Sequence, residues 1–230
     1  MIITRDMFYP QRITPRDNRF FAAQHPWVSL VTCDLEPLAH QGIPMVLPAD
    51  ADALPVALIT PSEEDPPFGA HTPRLWQYYP FTLTAHVVGL DANDSGKLGT
   101  VLQGDPCAPH WHDHIGYRLF DDDGQASQFL QKTLTGLRAV QQEVMKTQQL
   151  VWQLHQWRVL TPCHVQHEGQ WLTIYRIDLT ALEAHIGNSE DPQAAKLLMM
   201  ATTLEQSQKD LNCKVQMSVA AEYGHSITSA

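Results

Sequence analysis

Apolar residues recur at three- and four-residue steps through 126–156: Leu130, Leu134, Leu137, Val140, Val144, Val151 and Leu154. Gln131, Lys132, Arg138, Gln141, Gln142 and Lys146 fall on the other side. A single apolar stripe of this period predicts an amphipathic helix packed on a core. At 1.5 Å per residue it would run about 45 Å, enough to cross a domain. Asp123, in the turn Asp121-Asp-Asp-Gly124, is placed to cap its start. That acidic run lacks the spaced oxygen ligands and distal Glu of an EF-hand-type loop, so it reads as turn and cap.

Shorter apolar runs bounded by Pro, Gly, Asp and Asn predict strands. They fall at 27–33, 43–47, 55–59, 82–88 and 114–120, followed by a hairpin over 158–166 and 170–177 that turns at His167-Glu-Gly169. Pro44 and Pro55 cannot donate to a ladder and mark strand starts or edges. Residues 34–42 read as a short helical or looped connection, and 61–68 and 91–105 as loops. Asp178 is placed to cap a short helix at 179–185, and Pro192 to open another that ends near Leu211. A last strand is expected at 215–219, ahead of a flexible tail. Together these predict an α+β fold, a mostly antiparallel sheet of short strands packed against the helix at about 126–156. Residues 1–26 then form an N-terminal segment across the surface, 27–190 the α+β domain, and 191–230 the C-terminal helix, strand and tail.

Between the predicted strands lies Pro73-Arg-Leu-Trp-Gln-Tyr-Tyr-Pro-Phe81. Its prolines fix their own φ and push the preceding residues toward extended geometry, so no regular helix of more than a turn or two fits. The rings are too large to leave in water, and the segment reads as an aromatic plug that docks the first half of the chain and aims the next strand. Trp76, Tyr78, Tyr79 and Phe81 are the candidate binding residues. Tyr78 and Tyr79 are adjacent, so on an extended segment they point apart, which leaves one ring at a surface for a partner.

A second constellation is Cys107-Ala-Pro-His110-Trp-His112-Asp-His114. Residues two apart on an extended chain share a face, so His110, His112 and His114 would present three imidazoles in a row near Cys107. Further ligands would come from His86, Cys163, His164 or His167. The plain alternative is a polar loop in a chain that already holds 12 His. Cys163 and its neighbours fall on the expected hairpin, which favours a core thiol with imidazoles facing water.

Composition narrows the classes. The formal net charge is −10, with 15 basic against 25 acidic residues, and no basic run of three occurs. Nucleic acid is excluded as a partner on that balance. No stretch approaches the roughly 20 apolar residues of a membrane span. The N-terminus carries no secretory pattern, so the expected location is cytoplasmic. Four widely spaced cysteines (Cys33, Cys107, Cys163, Cys213), with no C-x-x-C pair, read as reduced thiols. Gly96, Gly99 and Gly104 follow no strand-to-helix pattern, and no G-x-S-x-G, H-E-x-x-H or P-loop appears, so no cofactor is expected.

From about Trp27 to Leu182 the chain resembles the SapC family, the S-layer-associated SapC-like proteins. The pieces run in order: Asp34, Ile43-Pro-Met-Val-Leu47, Pro55-Val-Ala-Leu-Ile59, Pro73 with Tyr79-Pro-Phe81, and Leu119-Phe-Asp-Asp-Asp-Gly124 before the long helix. Trp157, Leu160 and Pro162, then Tyr175-Arg-Ile-Asp178 with Leu182, complete them. Gln77 and Tyr78 stand where the family usually carries two Arg, and the His110–His114 row lies outside its pattern. The resemblance implies a link to surface-layer or outer-membrane-receptor systems and brings no agreed activity. It favours a non-enzymatic accessory or binding protein that recognises a peptide, protein or saccharide partner, with oligomer formation left open. The competing expectation is a metal-dependent enzyme or enzyme subunit built on His110, His112 and His114, with Cys107.

Overall fold

The stripe at 126–156 folds as a helix of 29 residues, Gln128–Gln156, in a computed structural model that describes residues 2–3, 11–50, 53–59, 68–88, 97–167, 169–187, 191–209 and 211. Its cap is Ser127, whose Oγ accepts from Leu130 N at 3.2 Å and donates to Arg118 O at 2.6 Å. Asp123, expected to cap it, comes too early in the chain. Its carboxylate accepts from Gln125 N and closes the preceding turn.

In chain order the elements are β1 (Arg12–Ile13), α1 (Asn18–Ala22), β2 (Trp27–Ser29), α2 (Thr32–Ala39), β3 (Met45–Pro48), β4 (Val56–Leu58), β5 (Phe81–Val88), β6 (Lys97–Gly104), β7 (Trp111–His112) and β8 (Tyr117–Arg118). The long helix α3 (Gln128–Gln156), β9 (Leu160–His167), β10 (Gln170–Ile177), α4 (Leu179–Ile186) and α5 (Pro192–Gln208) follow. The fold is α+β, and the strand pairs are antiparallel. The principal sheet has the order β2-β4-β3-β10-β9; β5 pairs with β6, and β1 lies between β7 and β8. No helix among the described residues is long and apolar enough to cross a membrane.

Three expectations are corrected. The run at 27–33 gives a strand of three residues and then α2. That helix can begin at Thr32 because its first donors are met: Asp34 Oδ2 accepts from Val31 N at 3.1 Å and Thr147 Oγ1 from Thr32 N at 3.0 Å. The loop expected at 91–105 contains β6, held by pairing from Phe81↔Gly104 to Val88↔Lys97. The strand expected at 114–120 shrinks to β8, with β7 before it and bends between. The strand expected at 215–219, the tail, Cys213 and the His86 side chain lie outside what is described.

Both faces of the principal sheet are apolar, and side-chain parity sorts them. Met45, Leu47, Ala57, Tyr175 and Ile177 face the large core, where α2, α4, α5 and the second half of α3 pack. Val46, Leu58, Cys163, Val165 and Ile174 form a smaller cluster on the opposite face. A third cluster joins Ile13, Phe81, Leu119, Leu130 and Leu137 around the first half of α3. One helix therefore spans two cores: Leu130 and Leu137 serve one, and Leu150, Val151 and Leu154 the other. Residues outside 27–190 take part too, with Ala22 and Ala23 before that span and Leu197, Met200 and Leu204 after it in the large core.

Candidate functional site

The site begins with a short polar helix start. Asp17 caps α1 by accepting from Arg19 N at 3.1 Å, which sets Asn18 at the first position facing the aromatic plug. The Asn18 amide donates to Gln77 O at 3.3 Å and to Tyr79 O at 3.2 Å. Its Oδ1 is then left to accept, and His110 Nε2 donates to it at 3.0 Å. His110 is therefore the Nε2–H tautomer, and Nδ1 is an acceptor; that nitrogen is buried and has no partner among the described residues. Rings of Phe21 and Tyr79 enclose the imidazole at 4.9 and 5.2 Å. Burial first, and the charge of Arg16 second, push its pKa down to about 4, against a smaller opposing pull from Asp105.

The plug is fixed from both ends. Arg74–Trp76 makes a single 3-10 turn, and the Tyr79–Pro80 peptide is cis. Tyr79 Oη donates to Asp105 Oδ2 at 2.6 Å, and Trp111 Nε1 to Asp105 O at 2.7 Å. Burial, and then this bond, raise the Tyr79 phenol; the same bond, with Cys107 N, lowers Asp105. Upstream, the buried Asp34 carboxylate accepts from Val31 N, Arg74 N and His71 Nε2, so it staples the start of the plug to α2. Desolvation raises its pKa against those bonds.

Tyr78 lies against α3 at Gly136, where any Cβ would collide with the ring. Ile13, Pro15, Arg16 and Asn18 on one side, Tyr78, Tyr79 and Phe81 behind, and Phe129, Lys132 and Thr133 of α3 enclose a cleft of about 380 Å³. His110 and Gln77 complete its lining. A second hollow of about 530 Å³ shares Pro15, Phe129 and Lys132 with it and continues past Tyr117, Arg118 and Asp121. There the Tyr117 and Phe129 rings stack at 4.9 Å and 2°.

Of the four aromatic candidates, Tyr78, Tyr79 and Phe81 line the cleft. Trp76 does not; it packs against the large core, with its ring 5.3 Å from Tyr79 and 4.9 Å from His25. Tyr78, Tyr79 and Trp76 are half-buried and Phe81 is buried. The histidine row does not form. His110 is buried in the cleft wall, His112 sits half-buried in β7, and His114 and Cys107 are exposed. Among the described residues no group of three or more His, Cys, Asp or Glu side chains could hold a metal ion. Cys163 is core, while His164 Nδ1 meets Thr173 Oγ1 and His167 Nε2 donates to Ile59 O.

Arg16, Asn18, Phe129 and Thr133 had no signal in the sequence that marked a site, and Lys132 was legible only as part of a polar helix face. Asp17 ahead of Asn18 is a capping pattern, which locates a helix start and nothing more.

A family model, SapC, matches residues 5–184. No curated protein and no solved structure matches the chain.

Proposed function

This chain belongs to the SapC family, and we propose that it acts as a non-enzymatic accessory protein that holds a peptide segment of a partner protein in the cleft beside the long helix. One observation carries the reading. The aromatic-walled cleft adjoins a second hollow, with Pro15, Phe129 and Lys132 lining both, and two neighbouring recesses on one face suit an extended chain that seats a side chain in each. Rigid rings supply contact area at low entropic cost.

The polar groups of the wall support binding over turnover. His110, the imidazole of the cleft, is bonded to an amide and not to a hydroxyl or thiol. The Tyr79 hydroxyl is committed to Asp105, and Thr133 Oγ1 donates to Phe129 O. Among these three described groups no nucleophile and base are paired. The link to surface-layer or outer-membrane-receptor systems that the resemblance implies makes those systems the proposed source of the partner.

Selection from a displayed random-peptide library tests this, with the whole protein and its Tyr78→Ala/Phe129→Ala variant as parallel targets. Peptides enriched on the wild type and at least about tenfold weaker on the variant are expected, the scale of losing two aromatic contacts. A library that yields no peptide, or peptides indifferent to the substitutions, would sink the proposal.

A further inference from the structure

The charges around the cleft are unlike those of the whole chain. The chain carries 25 acidic and 15 basic residues. Yet the charged side chains that line the cleft are Arg16 and Lys132, with no carboxylate among the lining residues. Four cations outside the cleft are matched, Arg19 with Asp17, Arg118 with Asp122, Lys146 with Glu143 and Arg176 with Glu205, while Arg12 donates to the Gly116 carbonyl and Arg74 to the Gln77 amide oxygen. Arg16 and Lys132 are in no ion pair among the described residues. Burial first and the charge of Arg16 second disfavour a proton on His110, against a smaller opposing pull from Asp105, whose carboxylate is occupied by the Tyr79 hydroxyl. A neutral imidazole adds no third cation, and the bodies of Tyr78, Tyr79 and Phe129 present apolar surface between the two charges.

We infer that the cleft selects a carboxylate borne on an aromatic or large aliphatic body, with Arg16 and Lys132 as its countercharges and the rings as its seat. The inference rests on the cleft being the binding site and names the chemistry that site takes. A positive, apolar-walled recess in an otherwise acidic protein concentrates anions locally and repels cations. Its volume of about 380 Å³ falls within the range of small-ligand sites. Within a partner peptide, the carboxylate would come from the chain's own C-terminus or from an acidic side chain beside an aromatic one.

A matched pair of small probes isolates the charge. N-acetyl-phenylalanine and N-acetyl-phenylalaninamide have nearly the same shape and differ by one negative charge. Titration of the full chain, followed by ligand-observed NMR and by the fluorescence of Trp76 and Trp111, gives both affinities. Trp76 and Trp111 lie 5.3 and 5.7 Å from Tyr79 and Phe81 respectively. The acid is expected to bind about tenfold more tightly than the amide, the scale of two partly exposed ion pairs. The preference is expected to shrink at high salt. It should vanish in the Arg16→Gln/Lys132→Gln protein, which retains its circular dichroism spectrum.

Equal binding of the two probes, no detectable binding of either, or a preference that survives the double substitution overturns the inference. Library peptides that bind without any acid preference would leave the proposed function standing and this inference refuted. An acid preference with no enriched peptide would do the reverse. Probes with the acidic group on a side chain, compared with those ending in a free carboxylate, separate the two sources.

Discussion

A single imidazole sets the acid sensitivity of the cleft wall. His110 has an ordinary pKa of 6.5 and one of about 4 when folded, so the folded chain binds that proton more weakly than the unfolded chain. Its contribution to stability is therefore complete above about pH 6.5 and is lost as pH falls toward about 4. Asp34 runs the other way, because burial raises its carboxyl and the folded state holds that proton more tightly. The two effects are separated by comparison with His110→Gln, which keeps a donor for Asn18 and does not titrate. Urea midpoints at about pH 7 and about pH 4.5 are expected to fall further for the wild type than for the variant. Equal falls would show that His110 is not the sensitive group. The tautomer behind this argument follows from the Asn18 amide, whose two donations leave one oxygen to accept.

The elements that were legible are those whose signal is local. The long helix has its period, the 160–177 hairpin its turn at Gly169 with φ of 76°, α4 its cap, with Asp178 accepting from Ala181 N, and α5 its opening Pro192. What failed depends on partners far away in sequence. Gly104 weakens a strand on propensity, but a Cβ there would come within 2.9 Å of Ile3 Cδ1 and Trp111 Cζ2, so the strand ends in the residue its neighbours require. The start of α3 shows the same limit: Asp123 suits a cap by residue type, but its carboxylate closes the preceding turn, and Ser127, anchored on Arg118 O, caps the helix instead. Ser127→Ala is expected to cost about 1–2 kcal/mol in chemical denaturation and Asp123→Ala under about 0.5 kcal/mol. Equal costs would return the cap to Asp123. The cleft divides likewise: Tyr78 and Tyr79 were readable as rings caught between Pro73 and Pro80, and Phe81 as the ring that follows. Arg16, Asn18 and Lys132 were not, since only the folded chain brings them there.

Across the whole molecule α3 acts as the beam between two cores, and the aromatic plug crosses the same gap, with Trp76 against one core and Phe81 in the other. Neither core is closed without the helix. Leu137→Ala in the first and Leu154→Ala in the second are each expected to cost about 2–5 kcal/mol. Each should shift one common transition followed by far-ultraviolet circular dichroism and by tryptophan fluorescence. Two resolved transitions would mean that the beam does not couple them. The walls of the cleft come from residues 13–18, 77–81, His110 and 129–133, stretches that the ribosome releases far apart in time. A nascent chain thus has no seat to offer until the opening turns of α3 have emerged and docked. A partner held as proposed would meet only chains already folded through Thr133, and that much maturity is a condition written into the geometry of the grip.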